Sequence, residues 1–301
     1  MRMIHPDKIL IRWSAISISI FVAMLCAMVC EVRAVSQDDI HLSSYIIPQG
    51  DMSLIRVEVK NGVVPRVTWM NRETYLVPNH NKTVYYGLIV ADLTARPGRY
   101  KALVEIVPTG QRKKLEIEVT EKNYGVRRLT LPKNMVDLDA KTLKRVKKES
   151  RIMRRLWDAP PSVPYWSGPF VRPVPGAVVG PFGRRSIINN QPRAPHSGVD
   201  LKAEKGTPIK AVNNGIVAFT GDHFFTGQTV VMDHGVGIQS MYFHLEKILV
   251  QQGRMMEKGQ VIGLVGSTGR AMGPHLHLGM RINGARIDPL KLIILSQEME
   301  E

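Results

Sequence analysis

The chain has 301 residues, 44% of them hydrophobic, and a formal charge of +15. That length suits about two folded units. The composition is that of a core-forming globular protein, which excludes a low-complexity or largely disordered chain. The positive balance favours anionic partners by long-range attraction. A solvated basic surface with no specific partner explains the same number.

Residues 1–12 carry Arg2, Lys8 and Arg12, and residues 13–30 are then uncharged and largely apolar. Val32-Arg33-Ala34 follows, with small residues where a signal peptidase cuts. Residues 1–34 read as a secretory signal, with an N-terminal membrane anchor as the rival. Eighteen residues at 13–30 are barely enough to span a bilayer, so a tether through them is the alternative to cleavage. The expected location is extracytoplasmic: periplasm or cell envelope, secreted or membrane-anchored. Both cysteines, Cys26 and Cys30, lie in this segment, so the remainder can form no disulfide. Without residues 1–34 the chain keeps 37 basic and 24 acidic residues, a net +13. For an exported protein, anionic envelope polymers are the natural partners of such a charge. Nucleic acid is disfavoured by the export signal and the lack of an aromatic stacking pattern.

Residues 38–125 read as a small β-sandwich-like module. Strands are expected over 54–59, 84–90, 100–106 and 114–119. Turn signals at Asn61-Gly62, Pro78-Asn79, Pro97-Gly98 and Thr109-Gly110 separate them. No catalytic constellation is visible there. Residues 137–168 read as a basic helix followed by a Pro-rich linker. Leu143, Val146, Met153 and Leu156 fall on one face, and eight Lys and Arg residues surround them. Such a helix suits docking on a protein core with a solvated face, or a membrane surface. Residues 169–293 are glycine-rich, with strands expected over 206–219, 228–233, 237–244, 260–265 and 275–282. No long amphipathic helix interrupts them, so the sheet is expected to be mostly antiparallel. The fold class is therefore mainly β: a small sandwich-like module, a linker helix and a C-terminal antiparallel sheet.

Six of the nine histidines fall within residues 196–277: His196, His223, His234, His244, His275 and His277. His275-Leu276-His277 is the sharpest signal. In a strand, residues two apart share a face, so Leu276, Leu278 and Met280 would point to the core and the two imidazoles outward together. Two imidazoles can hold one metal, or one can bind while the other moves protons; a pair on a solvated face is the plain alternative. His196-Ser197-Gly198-Val199-Asp200 adds an imidazole and a carboxylate. The nearby Pro192, Pro195 and Gly198 argue against a helix, so a bent loop or strand edge must aim them. His196, Asp200 and one of His275 and His277 make three N/O ligands without a thiolate, the donor set of a catalytic rather than a structural zinc site. In Tyr242-Phe243-His244-Leu245, alternation with Met241, Phe243 and Leu245 turns His244 away from the core.

His196-Ser-Gly-Val-Asp200, Tyr242-Phe-His244-Leu, Gly259-Gln-Val-Ile-Gly263-Leu-Val-Gly266-Ser-Thr-Gly269 and Gly273-Pro-His275-Leu-His277 together resemble the motifs of the lysostaphin-like (LytM-type) zinc endopeptidases, in the same order and spacing. The resemblance covers roughly 169–292. It implies that His196, Asp200 and His277 hold Zn2+, and that His244 and His275 flank a metal-activated water, one acting as general base. It further implies hydrolysis of peptide cross-links of bacterial peptidoglycan, with peptidoglycan peptides as partners. His234 and His223 match no catalytic position; His234 reads as structural and His223 as a groove-loop residue at most. Some members of the family are degenerate, non-enzymatic envelope-binding regulators of other cell-wall hydrolases. Such members usually lose ligands, and here all five site residues are present.

Overall fold

Period-two alternation builds the front of the molecule. Along Gln111–Thr120, Leu115, Ile117 and Val119 are buried while Lys114, Glu116 and Glu118 are exposed, as a strand with one wet face requires. The computed structural model describes residues 39–297 apart from 61, 131, 134–135 and 158–162. Residues 1–34, read from the sequence as an export signal or anchor, and most of the segment expected as a Pro-rich linker lie outside the described residues. Among the described residues no helix is long and apolar enough to cross a membrane.

Five strands form one front sheet, in the spatial order Ile46–Pro48, Gln111–Thr120, Gly98–Val107, Val64–Trp69, Arg72–Thr74. Four form another: Ile40–Leu42, Met52–Glu58, Val84–Val90, Leu76–Pro78. Ile55, Val57 and Ile89 of the second meet Val104, Leu115 and Ile117 of the first in one apolar core. The four-stranded sheet is apolar on its other face too. There Met52, Leu88 and Val90, with Leu93, join the core of the C-terminal sheet. Covering on both sides explains why Val84–Val90 is a nearly continuous buried run instead of an alternation. Two carboxylates fix this junction. Arg286 grips Asp92 through Nε at 3.0 Å and Nη2 at 2.6 Å, and Lys291 pairs with Asp51. Burial would raise the Asp92 carboxyl, but Arg286 holds it well below the usual carboxylate range.

The basic helix spans Ala140–Trp157. Asp139 caps it, its Oδ1 accepting from the Thr142 N–H at 2.7 Å. No helix residue is fully buried. Met153, Leu156 and Trp157 pack on Val231, Met241 and Phe243 of the C-terminal sheet, while Leu143 stays 41% exposed. Polar contacts reinforce the docking: Arg145 pairs with Asp222 at 3.0 Å, and Glu149 Oε2 accepts from the Phe224 N–H at 3.0 Å.

The C-terminal sheet has ten strands. Its main path runs Val178–Gly180, Gly198–Lys202, His275–Ile282, Ile238–Ile248, Gly227–Asp233, Gly215–His223, Met255–Met256. Its pairings are antiparallel throughout, as expected. Leu276, Leu278, Met280 and Tyr242 face the main core. Met241 and Phe243 face the helix. The alternation read for 241–245 is therefore inverted: Tyr242, not Met241 and Phe243, points to the main core. His244 departs from its strand's parity through a left-handed residue (φ 66°) at a break in register between Gln228 and Val230 of the neighbouring strand. That conformation is costly for a side chain with a Cβ and clusters at functional sites. It sends Leu245 into the core and frees His244 from Tyr242's direction.

Candidate metal centre and flanking histidines

Strand register assembles the centre. Asp200 lies directly opposite His277, and His277 directly opposite Phe243. Side chains so paired share a face and touch. The Phe243 ring stacks on His277, centroids 5.1 Å apart and planes 7° from parallel. His196 arrives from the chain just before Gly198–Lys202. Two glycines make room. A Cβ on Gly198 would strike Leu278 O and His277 Nε2, and one on Gly180 would strike the Asp200 carboxylate.

Three ligand-type atoms converge. Asp200 Oδ1 is 3.0 Å from His196 Nε2 and 2.9 Å from His277 Nδ1, and the two ring nitrogens are 3.0 Å apart. The side chains are 12%, 13% and 8% exposed for His196, Asp200 and His277. Burial would raise the Asp200 carboxyl, but its contacts with both rings hold it far below the ordinary range, so it is a carboxylate.

The hydrogen bonds outside this triangle test whether a cation fits it. His196 Nδ1 lies 2.9 Å from Pro181 O. A carbonyl only accepts, so Nδ1 carries the hydrogen and Nε2 of the neutral ring offers a lone pair to the centre. His277 turns Nδ1 to the centre and leaves Nε2 buried with no partner. Three electron-rich atoms thus face one point with at most one hydrogen among them, a set a divalent cation satisfies. The group is also the cluster of metal-ligating type among the described residues. Two imidazoles and a carboxylate suit zinc.

His244 and His275 flank the triangle. Their rings are 5.0 Å apart, and His244 is 6.1 Å from His277. His275 Nε2 is 3.7 Å from Asp200 Oδ1. Each is oriented as His196 is: His244 Nδ1 meets Thr268 O and His275 Nδ1 meets Gly273 O, both at 2.8 Å. Both Nε2 atoms are therefore lone-pair sites in the neutral rings. Burial, helped by nearby imidazoles, pushes His244 down to about 4, and burial lowers His277.

The five residues singled out in the sequence are thus brought together, and the two set aside are not. His234 is fully buried away from them, its Nδ1 at 2.7 Å from Asn214 O and its Nε2 at 2.7 Å from Ser240 Oγ. His223 is buried against Phe219. It lines a cleft of about 370 Å³ between the long helix and the sheet, which runs past Phe225, Phe243 and Ser197. Sequence reasoning missed the orienting carbonyls of Pro181, Thr268 and Gly273 and the stacking role of Phe243. Main-chain acceptors have no residue-type signature.

Residues 194–289 match the model of peptidase family M23. Over 98 residues the chain is 42% identical to the peptidoglycan DD-endopeptidase ShyA of Vibrio cholerae, 33% of this chain and 23% of that protein. Over 124 residues it is 36% identical to the DD-carboxypeptidase/endopeptidase Mpg of Neisseria meningitidis, 41% of this chain and 29% of that protein. The chain thus spans less than a third of either relative's length. A crystal structure of a Pseudomonas aeruginosa protein assigned to peptidase M23 superposes with a TM-score of 0.64 at 31% identity. That match covers 81% of this chain and 94% of the other.

Proposed function

The chain belongs to peptidase family M23, and from that premise we propose that it is a zinc-dependent endopeptidase that hydrolyses the peptide cross-links of bacterial peptidoglycan. The observation that carries this reading is the triangle of His196 Nε2, Asp200 Oδ1 and His277 Nδ1, three ligand atoms with at most one hydrogen among them. The names of the curated relatives supply the substrate class.

In this reading His196, Asp200 and His277 hold the ion. A bound zinc ion supplies Lewis acidity, which makes water nucleophilic near neutral pH. The remaining work falls to the chain's own groups. Thr268 O and Gly273 O fix the tautomers of His244 and His275, so that Nε2 of one of them accepts a proton from water and returns it to the leaving amine nitrogen. Nε2 of the other, likewise a lone-pair site, accepts that water's second hydrogen bond and holds it in place. Phe243 keeps the His277 ring in plane, and the cleft between helix and sheet provides a path for an extended peptide. Residues 169–293 serve as the peptidase domain, 38–125 as a β-sandwich-like module packed on it and 137–168 as helix and linker. Residues 1–34 direct the protein out of the cytoplasm, and the anionic envelope polymers are partners of its net charge. Intact ligands weigh against the non-enzymatic regulator.

The test is digestion of purified cross-linked sacculi by the full chain with zinc, with released peptides identified by mass. Cross-link-cleaved products that vanish on chelation and return with zinc are expected. Their absence from sacculi of every cross-link type would overturn the reading.

A further inference from the structure

A second polar cluster lies outside the metal centre. Val126–Leu129 runs parallel to Arg185–Ile188, which pairs antiparallel with Gln191–Arg193. The registers set Arg127 opposite Ser186 and Ser186 opposite Arg193, one row on one face of a three-stranded sheet. Ser186 is buried and both arginines are half-buried. Arg127 Nε donates to Ser186 Oγ at 2.9 Å. Arg193 donates from Nη2 to Gln191 Oε1 at 2.6 Å and to Val136 O at 3.4 Å, and its buried Nε has no partner.

Arg270 is the third member. Its guanidinium lies 4.3 Å from the centroid of the Phe225 ring, and its main-chain N–H donates to Phe225 O at 2.9 Å. Burial lowers its pKa, and the positive charges of Arg193 and Arg127 lower it further. Among the described residues none of these three arginines has a carboxylate within ion-pair distance, whereas Arg286 has one and Arg145 two. Gathering partly desolvated cations without a counter-charge is unfavourable unless an anion joins them.

The cluster's position connects it to the groove. Arg193 is three residues before His196, and the His196 N–H donates to Arg184 O of the same hairpin. Arg270 is five residues before His275, and the Phe225 ring beneath it lines the cleft that passes Phe243.

We propose that Arg127, Arg193 and Arg270 form an anion subsite at the rim of this groove that takes a free carboxylate of the peptide being cleaved. Guanidinium forks match a carboxylate's two oxygens, and the unpartnered Arg193 Nε is a donor in reserve for one. The inference rests on the peptidase reading for the identity of its ligand, and it makes the enzyme selective for peptides whose carboxyl groups are not amidated.

The experiment compares kcat/KM of the full chain on a soluble cross-linked peptide dimer with free carboxyl groups and on the same dimer after amidation. The wild type is expected to prefer the free form about tenfold, the effect of roughly one charge-assisted contact. In Arg193→Gln and Arg270→Gln the ratio is expected to collapse toward one, chiefly through KM. A merely structural loss would lower both substrates together and leave the ratio intact, which overturns the proposal, as does a wild type without preference. Calorimetric titration of the same two dimers separates this from failure of the peptidase reading. If neither dimer is cleaved, binding of the free form that is lost in Arg270→Gln still supports the subsite, and absence of binding overturns it. Inorganic phosphate that binds this site more tightly than the free dimer also overturns the carboxylate assignment.

Discussion

His234, just past the end of Gly227–Asp233, and the cluster of His196, His244, His275 and His277 lie on or beside the same sheet and are treated in opposite ways. Both nitrogens of His234 have a partner, and the network continues from Ser240 Oγ to the Tyr242 hydroxyl at 3.0 Å and from there to the Val212 N–H at 2.9 Å. Three of the cluster histidines are tied at Nδ1 to a carbonyl with Nε2 left toward the centre, and the fourth has a buried nitrogen with no partner. A satisfied polar network locks a core; a partly satisfied one costs stability unless something else completes it. Burial alone does not separate the two, since His234, His244 and His277 are all buried. The direction of the free lone pairs does.

Breaking the open network should cost function first. His277→Ala removes one corner of the triangle and is expected to abolish hydrolysis, by at least about a thousandfold. It should also take metal content from one ion per chain to near none by elemental analysis, while His234→Gln keeps its ion. Retained metal in His277→Ala would erase the distinction. His244→Ala should lower turnover by about 10²–10⁴ with the ion retained, separating a proton carrier from a ligand; joint loss of ion and activity would make His244 a ligand instead.

Breaking the closed network should cost stability. Burial lowers His234 from 6.5 to about 4, so the unfolded chain binds this proton more readily than the folded one. The neutral ring's contribution is complete above pH 6.5 and is lost as pH falls from there toward 4, up to about 3 kcal/mol. Urea unfolding at pH 7.5 and 4.5 should show a smaller difference in His234→Gln than in the wild type; equal differences would contradict this. Ser240→Ala, which strips a partner from both His234 and Tyr242, is expected to cost about 1–3 kcal/mol in the same assay without altering metal content.

Much of this was legible in the sequence, and the exceptions have physical causes. His275 and His277 share a face because nothing breaks the parity of His275–Ile282. The Asn283-Gly284 turn adopts the two positive φ values that its residues favour, 50° and 78°. His244 leaves the direction of Tyr242 for a reason that simple alternation does not carry, since its left-handed backbone resets the parity of the strand. The hairpin of Arg185–Ile188 and Gln191–Arg193 was overlooked although Asn189-Asn190, with φ 49° and 62°, is a good turn signal. Pro192 and Pro195 speak against a helix there without marking the strand Gln191–Arg193. The short helix Pro289–Leu295 was also overlooked, although Asp288 caps it and Pro289 opens it. The arginine row depends on which strands lie side by side, which no local pattern encodes.

The most direct test of the central claim is a crystal of the full chain grown with zinc, with anomalous difference maps recorded on either side of the zinc absorption edge. The account predicts one strong peak at about 2.0–2.2 Å from His196 Nε2, Asp200 Oδ1 and His277 Nδ1, with His244 and His275 beside it but not bound. A peak held by His244 or His275 in place of one of these three, or no peak at saturating zinc, would contradict it.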